Sequence, residues 1–153
     1  NGCGKSSLLK LLIGQPIAHT GTLEIGSRLT VSYVPQDMSF LSGSADDFAA
    51  ESEIDITLFK TILRKLDFKR TQFTKDMSEF SMGQKKKVLL ARSLCQRANL
   101  YIWDEPLNYI DVISRLQIET LILEYKPTML FVEHDEAFVN DIATKVCRIS
   151  LNQ

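Results

Sequence analysis

The first residues of the chain, N-G-C-G-K-S-S, have the types and order of a phosphate-binding loop. Gly2 and Gly4 let backbone N–H groups turn toward an anion, and Lys5 can reach the β- and γ-phosphate oxygens. An apolar helix predicted over residues 7–13 would direct its positive dipole end at the same anion. We predict the second half of a G-x-x-x-x-G-K-[ST] loop, with these nucleotide-contacting residues: Asn1, Gly2, Cys3, Gly4, Lys5, Ser6 and Ser7.

Two consecutive acids end an apolar run at L-Y-I-W-D-E, residues 100–105. Such a run predicts a strand whose acids lie at its carboxyl edge, where ligands bind in α/β proteins. Asp104 would hold Mg²⁺, directly or through water, together with the hydroxyl of Ser6. Glu105 would act on the attacking water as a general base. Alone, the two acids could simply be the exposed end of a buried strand, but the phosphate loop favours a nucleotide site.

The chain between and after these motifs predicts alternating strands and helices. Strands are predicted over residues 100–103, 128–132 and 145–149, and helices over 83–97, 111–124 and 136–143. This alternation predicts an α/β fold with a mostly parallel sheet between helices.

The middle of the chain is less regular. Residues 22–25 and 29–34 predict a hairpin, and residues 40–52 predict an irregular acidic segment. A helix is predicted over residues 54–66, with one apolar face made by Ile54, Leu58, Phe59, Ile62, Leu63 and Leu66.

Four further segments occur in an order that resembles the ATP-binding-cassette (ABC) ATPases. Gln36 in Y-V-P-Q-D resembles the Q-loop glutamine, which bridges the metal and the attacking water, and His134 in F-V-E-H-D resembles the switch histidine. Asp111 in P-L-N-Y-I-D resembles the D-loop aspartate. The segment F-S-M-G-Q resembles the L-S-G-G-Q signature and supplies Ser81, Gly83 and Gln84. Singly, Gln36 could be a surface residue and His134 a structural histidine, but their order favours the family.

The resemblance covers almost the whole chain and implies a P-loop NTPase fold of the ABC type. It implies one domain over residues 1–153 with a small helical lobe at about 37–80, and an N-terminal β-subdomain truncated before Asn1. It also implies that ATP and Mg²⁺ bind, with Ser6, Gln36 and Asp104 as metal ligands. Two such domains face each other head to tail in this family. Ser81, Gly83, Gln84 and Asp111 would therefore contact nucleotide between the domains, and turnover would require the pair.

Details of two motifs resemble the ABC-F branch of the family. Asn108 in P-L-N-Y-I-D is similar to the D-loop of ABC-F proteins, and F-S-M-G-Q-K-K-K-V-L-L-A-R-S-L is similar to their second, carboxy-terminal ATPase domain. This resemblance implies a ribosome-protection protein that confers antibiotic resistance, with another ABC domain upstream in the same polypeptide and the ribosome as partner. The alternatives are the ATPase of a membrane transporter and a non-catalytic interaction domain. Intact Lys5, Asp104, Glu105 and His134 oppose the latter.

Composition is typical of a soluble globular protein, and the cysteine usage suits the cytoplasm. The chain is 44% hydrophobic and 24% charged with a net charge of −1, and it contains no apolar run long enough to cross a bilayer. Three scattered cysteines suit a reducing compartment and predict no metal cluster. We expect Cys95 and Cys147 to be buried. The Lys85–Lys87 run predicts a solvated helix face in preference to an RNA contact.

Overall fold

Helices and strands alternate along residues 4–149, the part of the chain that this computed structural model describes. The α-helices are α1 (Lys5–Leu12), α2 (Ala45–Glu51), α3 (Ile56–Lys65), α4 (Met82–Cys95), α5 (Val112–Tyr125) and α6 (Glu136–Ile142). The strands are β1 (Val31–Val34), β2 (Leu100–Asp104) and β3 (Met129–Val132). Two short 3₁₀ helices span Arg70–Gln72 and Met77–Glu79.

The three strands form one parallel sheet in the order β1-β2-β3. Val34 of β1 pairs with Trp103, and Asp104 pairs with Val132 of β3, so β2 lies in the middle. The carboxyl ends of parallel strands meet at one edge of a sheet, where α/β proteins bind ligands. The parallel sheet predicted from the sequence is confirmed, and its carboxyl edge leads into the predicted site residues.

Helix α4 is the buried centre of the fold. Four consecutive residues, 88–91, are each 0% exposed, which requires neighbours on all sides of the helix and not on one face alone. Helix α4 packs against α3 and β1. The buried Ser93 hydroxyl of α4 is paired: the Trp103 indole donates to Ser93 Oγ at 2.9 Å, and Ser93 Oγ lies 2.7 Å from Ser32 Oγ. These bonds let polar atoms remain inside the core.

Helices alone make up the regular structure between Gln36 and Ser81. Ser44 caps α2 by accepting a hydrogen bond from Asp47 N at 3.0 Å, and Asp55 caps α3 in the same way from Leu58 N at 2.6 Å. Side-chain caps satisfy N–H groups that lack partners in the first turn. The irregular segment predicted over residues 40–52 is therefore wrong where α2 forms. Phe59 and Leu63 of α3 and Leu66, which follows it, are buried as predicted, whereas Leu58 is 46% exposed.

Two predicted strands do not form in the described chain. Residues 22–25 and 145–149 have no regular structure, and all but one of them are exposed. A strand needs a paired neighbour and an apolar face to cover, and the sheet supplies neither to these residues. The predicted hairpin is therefore wrong, since only Val31–Val34 forms a strand.

The burial predicted for the cysteines is also wrong in part. Cys147 is exposed because the strand predicted around it does not form, and Cys95 is half-buried at the end of α4. Burial raises the pKa of the Cys95 thiol to about 11, with a further contribution from the charge of Asp55.

Candidate active site

The described chain begins at the turn into α1. Gly4 has φ 82°, a left-handed conformation that residues with a side chain rarely adopt, and α1 starts at the next residue. Lys5 and Ser6 therefore occupy the first helical turn, where backbone N–H groups lack partners within the helix and favour anions. Leu9, 1% exposed, anchors the helix in the core. Asn1, Gly2 and Cys3 lie outside the described residues, so their phosphate contacts stay predictions.

Three residues predicted as metal ligands line one cavity of about 630 Å³. Ser6 reaches the cavity from α1, Gln36 follows β1, and Asp104 ends β2. Asp104 is 2% exposed, and its Oδ1 is buried with no hydrogen-bond partner among the described residues. A buried carboxylate oxygen is unfavourable unless a cation or donor reaches it. Hydroxyl, amide and carboxylate oxygens are the ligands that Mg²⁺ prefers, so these residues fit the ion.

Glu105 stands at the centre of a polar cluster at the carboxyl edge of the sheet. Its Oε2 accepts hydrogen bonds from Gln36 Nε2, at 2.8 Å, and from Asn108 Nδ2. His134 Nε2 lies 3.7 Å from the other carboxylate oxygen, Oε1. The Glu105 side chain is 13% exposed and His134 is 60% exposed, so the acid is shielded while the imidazole faces solvent. The structure thus brings together all three residues predicted to be catalytic.

The signature segment opens α4 with a reciprocal cap. Ser81 Oγ accepts from Gln84 N at 3.3 Å, and Gln84 Oε1 accepts from Ser81 N at 3.0 Å. This capping box occupies the Gln84 amide oxygen but leaves the exposed Ser81 hydroxyl a proton to donate. Gly83 packs against the D-loop so closely that an added Cβ would lie 2.5 Å from the Tyr109 carbonyl oxygen. The signature and the D-loop are therefore in direct contact.

Asp111 is held by protein groups in the described structure. Its carboxylate caps α5 by accepting from Ser114 N and Ser114 Oγ, both at 2.9 Å, and it pairs with Lys87 Nζ at 2.6 Å. Partial burial favours the neutral acid, but the bonds from Lys87 and Ser114 outweigh it and hold the pKa of Asp111 well below its usual range. No hydrogen bond or ion pair between described residues joins Asp111 to the three catalytic candidates, and its contacts with Lys87 and Ser114 link α4 to the start of α5.

Two lysines of the predicted solvated run are buried, so that prediction is wrong for them. Lys86 is 0% exposed and Lys87 is 8% exposed. The reason is tertiary: α4 passes under the sheet edge, where Lys86 reaches main-chain oxygens and Lys87 reaches Asp111. Three adjacent lysines carry no local signal of such burial.

Sequence reasoning also missed two residues that orient the cluster. In the sequence Asn108 is only a mark of the family branch, yet its amide donates to Glu105. Glu133 accepts from Leu107 N at 3.1 Å and from His134 N at 2.8 Å. Its carboxylate therefore ties the loop after Glu105 to the end of β3. The sequence feature that could have indicated this contact is the position of Glu133 directly before His134.

Comparison with known proteins identifies the family. The family model described as "ABC transporter" matches residues 1–108. The chain is 36% identical over 157 residues to the putative ATP-binding protein YdiF of Bacillus subtilis, covering 98% of the chain and 24% of that protein. It is 30% identical over 155 residues to ABC transporter F family member 2 of Arabidopsis thaliana, covering 97% of the chain and 23% of that protein. The chain thus spans about a quarter of the length of these relatives.

Solved structures share the fold. The archaeal ribosome recycling factor aABCE1, in complex with the ribosomal stalk protein aP1, superposes with a TM-score of 0.73 at 28% identity, covering 93% of this chain and 29% of that one. A putative cobalt transport ATP-binding protein gives a TM-score of 0.76 at 23% identity, covering 92% and 58%, which is a likeness of fold alone. Within residues 4–149, no helix combines the length and apolar character that crossing a membrane requires.

The family match and the geometry agree with the resemblance inferred from the motifs. The matched residues extend from the phosphate loop through the signature and the acids that end β2. The fold is the α/β P-loop type with a parallel sheet flanked by helices. The chain belongs to the ATP-binding-cassette family, whose ATPase domains bind ATP.

Proposed function

We propose that this chain binds ATP with Mg²⁺ and hydrolyses it, with Glu105 as the general base. The observation that carries the proposal is the Glu105 cluster, in which Gln36 and Asn108 orient a carboxylate that is 13% exposed. A carboxylate held in one orientation can accept a proton from a water placed beside it. His134, 3.7 Å from the same carboxylate, presents its solvent-facing imidazole to the reacting phosphate.

Mg²⁺ would be held by Ser6, Gln36 and Asp104. The Gln36 amide nitrogen is directed at Glu105, which leaves the amide oxygen for a cation, and Asp104 Oδ1 has no partner among the described residues. When bound, the ion neutralises charge on the phosphates. Lys5 adds a second cation from the first turn of α1, and the Ser7 N–H extends the same turn.

We also propose that turnover requires a second ABC domain in the same polypeptide. Ser81 is exposed at the start of α4. Met82, the next residue, is 46% exposed, and Tyr109, whose main chain packs against Gly83, is 64% exposed. An exposed hydroxyl at a helix start can donate to an anion that another domain brings to it. Exposed apolar side chains in the signature and the D-loop suit contact with a partner surface.

For the whole protein we propose an ABC-F role on the ribosome, in the cytoplasm, as a ribosome-protection factor that confers antibiotic resistance. The motif details and the F-family relative support the branch, and the name of the ribosome recycling factor supports the partner class. The distribution of charged residues along the chain adds support. Residues 60–75, here called the basic segment, contain six Lys or Arg and one Asp, whereas the whole chain has a net charge of −1. Such segregation favours contact with phosphate-rich RNA.

Five exposed cations of the basic segment form no ion pair with a described residue: Arg64, Lys65, Lys69, Arg70 and Lys75. Lys60, the sixth, pairs with Asp46 at 2.7 Å. Charges that lack acidic neighbours remain available to an outside anion. They lie on the helical lobe, away from the Glu105 cluster in sequence, so RNA contact and ATP turnover can be tested separately.

The test uses the full-length protein and its Glu105→Gln variant. We expect the variant to lower kcat by roughly 10²- to 10⁴-fold and to keep ATP binding, because only the base is removed. Glu124→Gln, which changes an exposed acid on α5, is the matched control and should leave kcat unaltered. Equal turnover in Glu105→Gln and the native protein would remove Glu105 from its proposed role.

The same variant tests the partner. With ATP present and hydrolysis blocked, Glu105→Gln protein should pellet with purified ribosomes, and the native gene should raise the antibiotic concentration needed to stop growth. Fractionation with membranes and not with ribosomes would favour the ATPase of a transporter.

A further inference from the structure

Lys86 is the most deeply buried charged side chain near the candidate site. It is 0% exposed, and its Nζ donates to the main-chain carbonyls of Pro35, at 3.3 Å, and of Asp104, at 3.4 Å. Pro35 directly precedes Gln36, and Asp104 directly precedes Glu105. One ammonium group thus contacts the chain immediately before the two residues whose side chains meet at 2.8 Å.

The ladder between β1 and β2 ends just before these two positions. The last pair of that ladder is Val34 and Trp103, and the residue that follows β1 is Pro35. Proline has no N–H to donate, so a further ladder hydrogen bond from it to β2 is impossible. Lys86 supplies donors to both carbonyls just beyond the point where the ladder ends.

Burial and the neighbouring charges act on Lys86 in opposite directions. Burial lowers the pKa of Lys86, and the carboxylates of Asp104, Glu105 and Glu133 oppose that shift. The positive charge of Lys86 in turn reduces the electrostatic repulsion among these three carboxylates. The arrangement therefore joins Lys86 electrostatically to the strand ends that carry the site.

We propose that Lys86 is a positioning residue that fixes the separation between Gln36 and Glu105 by bridging the ends of β1 and β2. The inference rests on the ATPase function proposed above. Lys86 does not touch nucleotide in this proposal. It acts through the main chain, so its loss should affect the catalytic step more than nucleotide binding.

The experiment compares three variants of the full-length protein. Lys86→Met keeps an unbranched side chain but removes every donor. Lys86→Gln removes the charge but retains an amide that can donate to a carbonyl. Lys85→Met removes a charge from the preceding, partly exposed position and is the matched control. For each we would measure kcat, KM for ATP, affinity for a non-hydrolysable ATP analogue and the thermal midpoint.

We expect Lys86→Met to lower kcat by roughly 10- to 100-fold, the order of effect that a misplacement near 1 Å produces. Its KM and analogue affinity should change less than about threefold, because the phosphate loop is untouched. Lys86→Gln should recover most of the lost kcat, and Lys85→Met should match the native protein. Native kcat in Lys86→Met, or an equal loss in Lys86→Met and Lys86→Gln, would overturn the proposal.

A double variant separates positioning from general damage to the fold. If Lys86 acts by placing Gln36, adding Lys86→Met to Gln36→Ala should lower kcat little further, because the side chain that Lys86 places is already absent. Multiplying effects would show that Lys86 acts elsewhere. The Glu105→Gln variant keeps the two proposals distinct. If Glu105→Gln has the native kcat, the proposed ATPase function is wrong. If Glu105→Gln has a low kcat and Lys86→Met has the native kcat, only the inference about Lys86 is wrong.

Discussion

Lys87 Nζ lies 2.6 Å from Asp111 Oδ2, so an ion pair joins the signature helix α4 to the start of α5. Lys87 is almost buried, whereas the Asp111 side chain is 45% exposed. Gly83 contacts the same loop at Tyr109 one turn earlier on α4. Two contacts from one helix face therefore hold the D-loop. We expect the signature and the D-loop to move together at the proposed domain interface.

Replacing Gly83 with Ala should destabilise the protein although alanine is the better helix former. Alanine is favoured over glycine within a helix by about 1 kcal/mol. Here the added Cβ would lie 2.5 Å from the Tyr109 carbonyl oxygen, and overpacking of that kind is destabilising by about 1–3 kcal/mol. Thermal unfolding of the full-length variant should show a lower midpoint, with a loss of kcat as the D-loop shifts.

Gly26→Ala is the control for that experiment. An added Cβ at Gly26 would meet nothing within 4 Å, and its backbone is not left-handed. We expect a change between zero and about 1 kcal/mol in the stabilising direction. A Gly83→Ala midpoint at or above the native value would show that the D-loop accommodates the methyl group freely.

The contacts of Asp111 predict a graded loss of stability in two variants. Asp111→Asn keeps an oxygen that can cap α5 but loses the charge, and the partly exposed pair should contribute less than about 1 kcal/mol. Asp111→Ala loses the cap as well, worth about 0.5–2 kcal/mol. We expect stability to follow the order native, Asp111→Asn, Asp111→Ala in urea unfolding at pH 7.

The pKa of Asp111 is lowered in the folded protein, which sets the direction of the pH effect. A lowered pKa contributes stability above the unfolded-state value, about 3.9, and this contribution is lost as the pH falls through the folded pKa. The difference in free energy of unfolding between the native protein and Asp111→Asn should therefore be largest at neutral pH and decrease only below about pH 4. A gap that closes between pH 6 and 8 would implicate another group.

Three of the predicted site residues lie at the ends of parallel strands, where the sequence pattern places them. Gln36, Glu105 and His134 each follow an apolar run, and parallel strands bring such ends to one edge whatever the loops between them do. Lys86 could not be located, because its burial depends on where α4 passes and not on its neighbours in sequence. Residues 22–25 are wrongly predicted as a strand because β-type residues favour a strand, but a neighbouring strand to pair with decides whether one forms.

Asp104→Asn should weaken the response to Mg²⁺ more than the response to nucleotide alone. Oδ1 of Asp104 is buried without a hydrogen-bond partner among the described residues, so a bound cation would interact directly with this carboxylate. MgATP stabilises a protein that binds it by RT ln(1 + [L]/Kd), and a tenfold weaker Kd lowers that stabilisation by about 1.4 kcal/mol. We expect a smaller MgATP-induced shift in thermal midpoint for Asp104→Asn, and equal shifts for both proteins in ATP with a chelator. An unchanged MgATP shift would mean that the metal lies elsewhere.

Removing charge from the basic segment should weaken ribosome binding without slowing ATP hydrolysis. Lys69 and Arg70 are exposed and form no ion pair with described residues, so their replacement by Gln leaves the fold and the Glu105 cluster untouched. Removal of one cation that binds a phosphate reduces the slope of log affinity against log salt by about 1. Ribosome pelleting over a range of salt concentrations should show this reduced slope, with kcat measured without ribosomes unaltered.

Arg97→Gln with Lys145→Gln is the control, because it removes two exposed positive charges outside the basic segment. It should bind ribosomes with the native salt dependence if the segment, and not net charge, makes the contact. Equal weakening by both pairs would reduce the effect to overall charge. Weaker binding by Lys69→Gln/Arg70→Gln with an unaltered salt slope would point to a ribosomal protein surface, since a contact that displaces no ions from phosphate carries no such dependence.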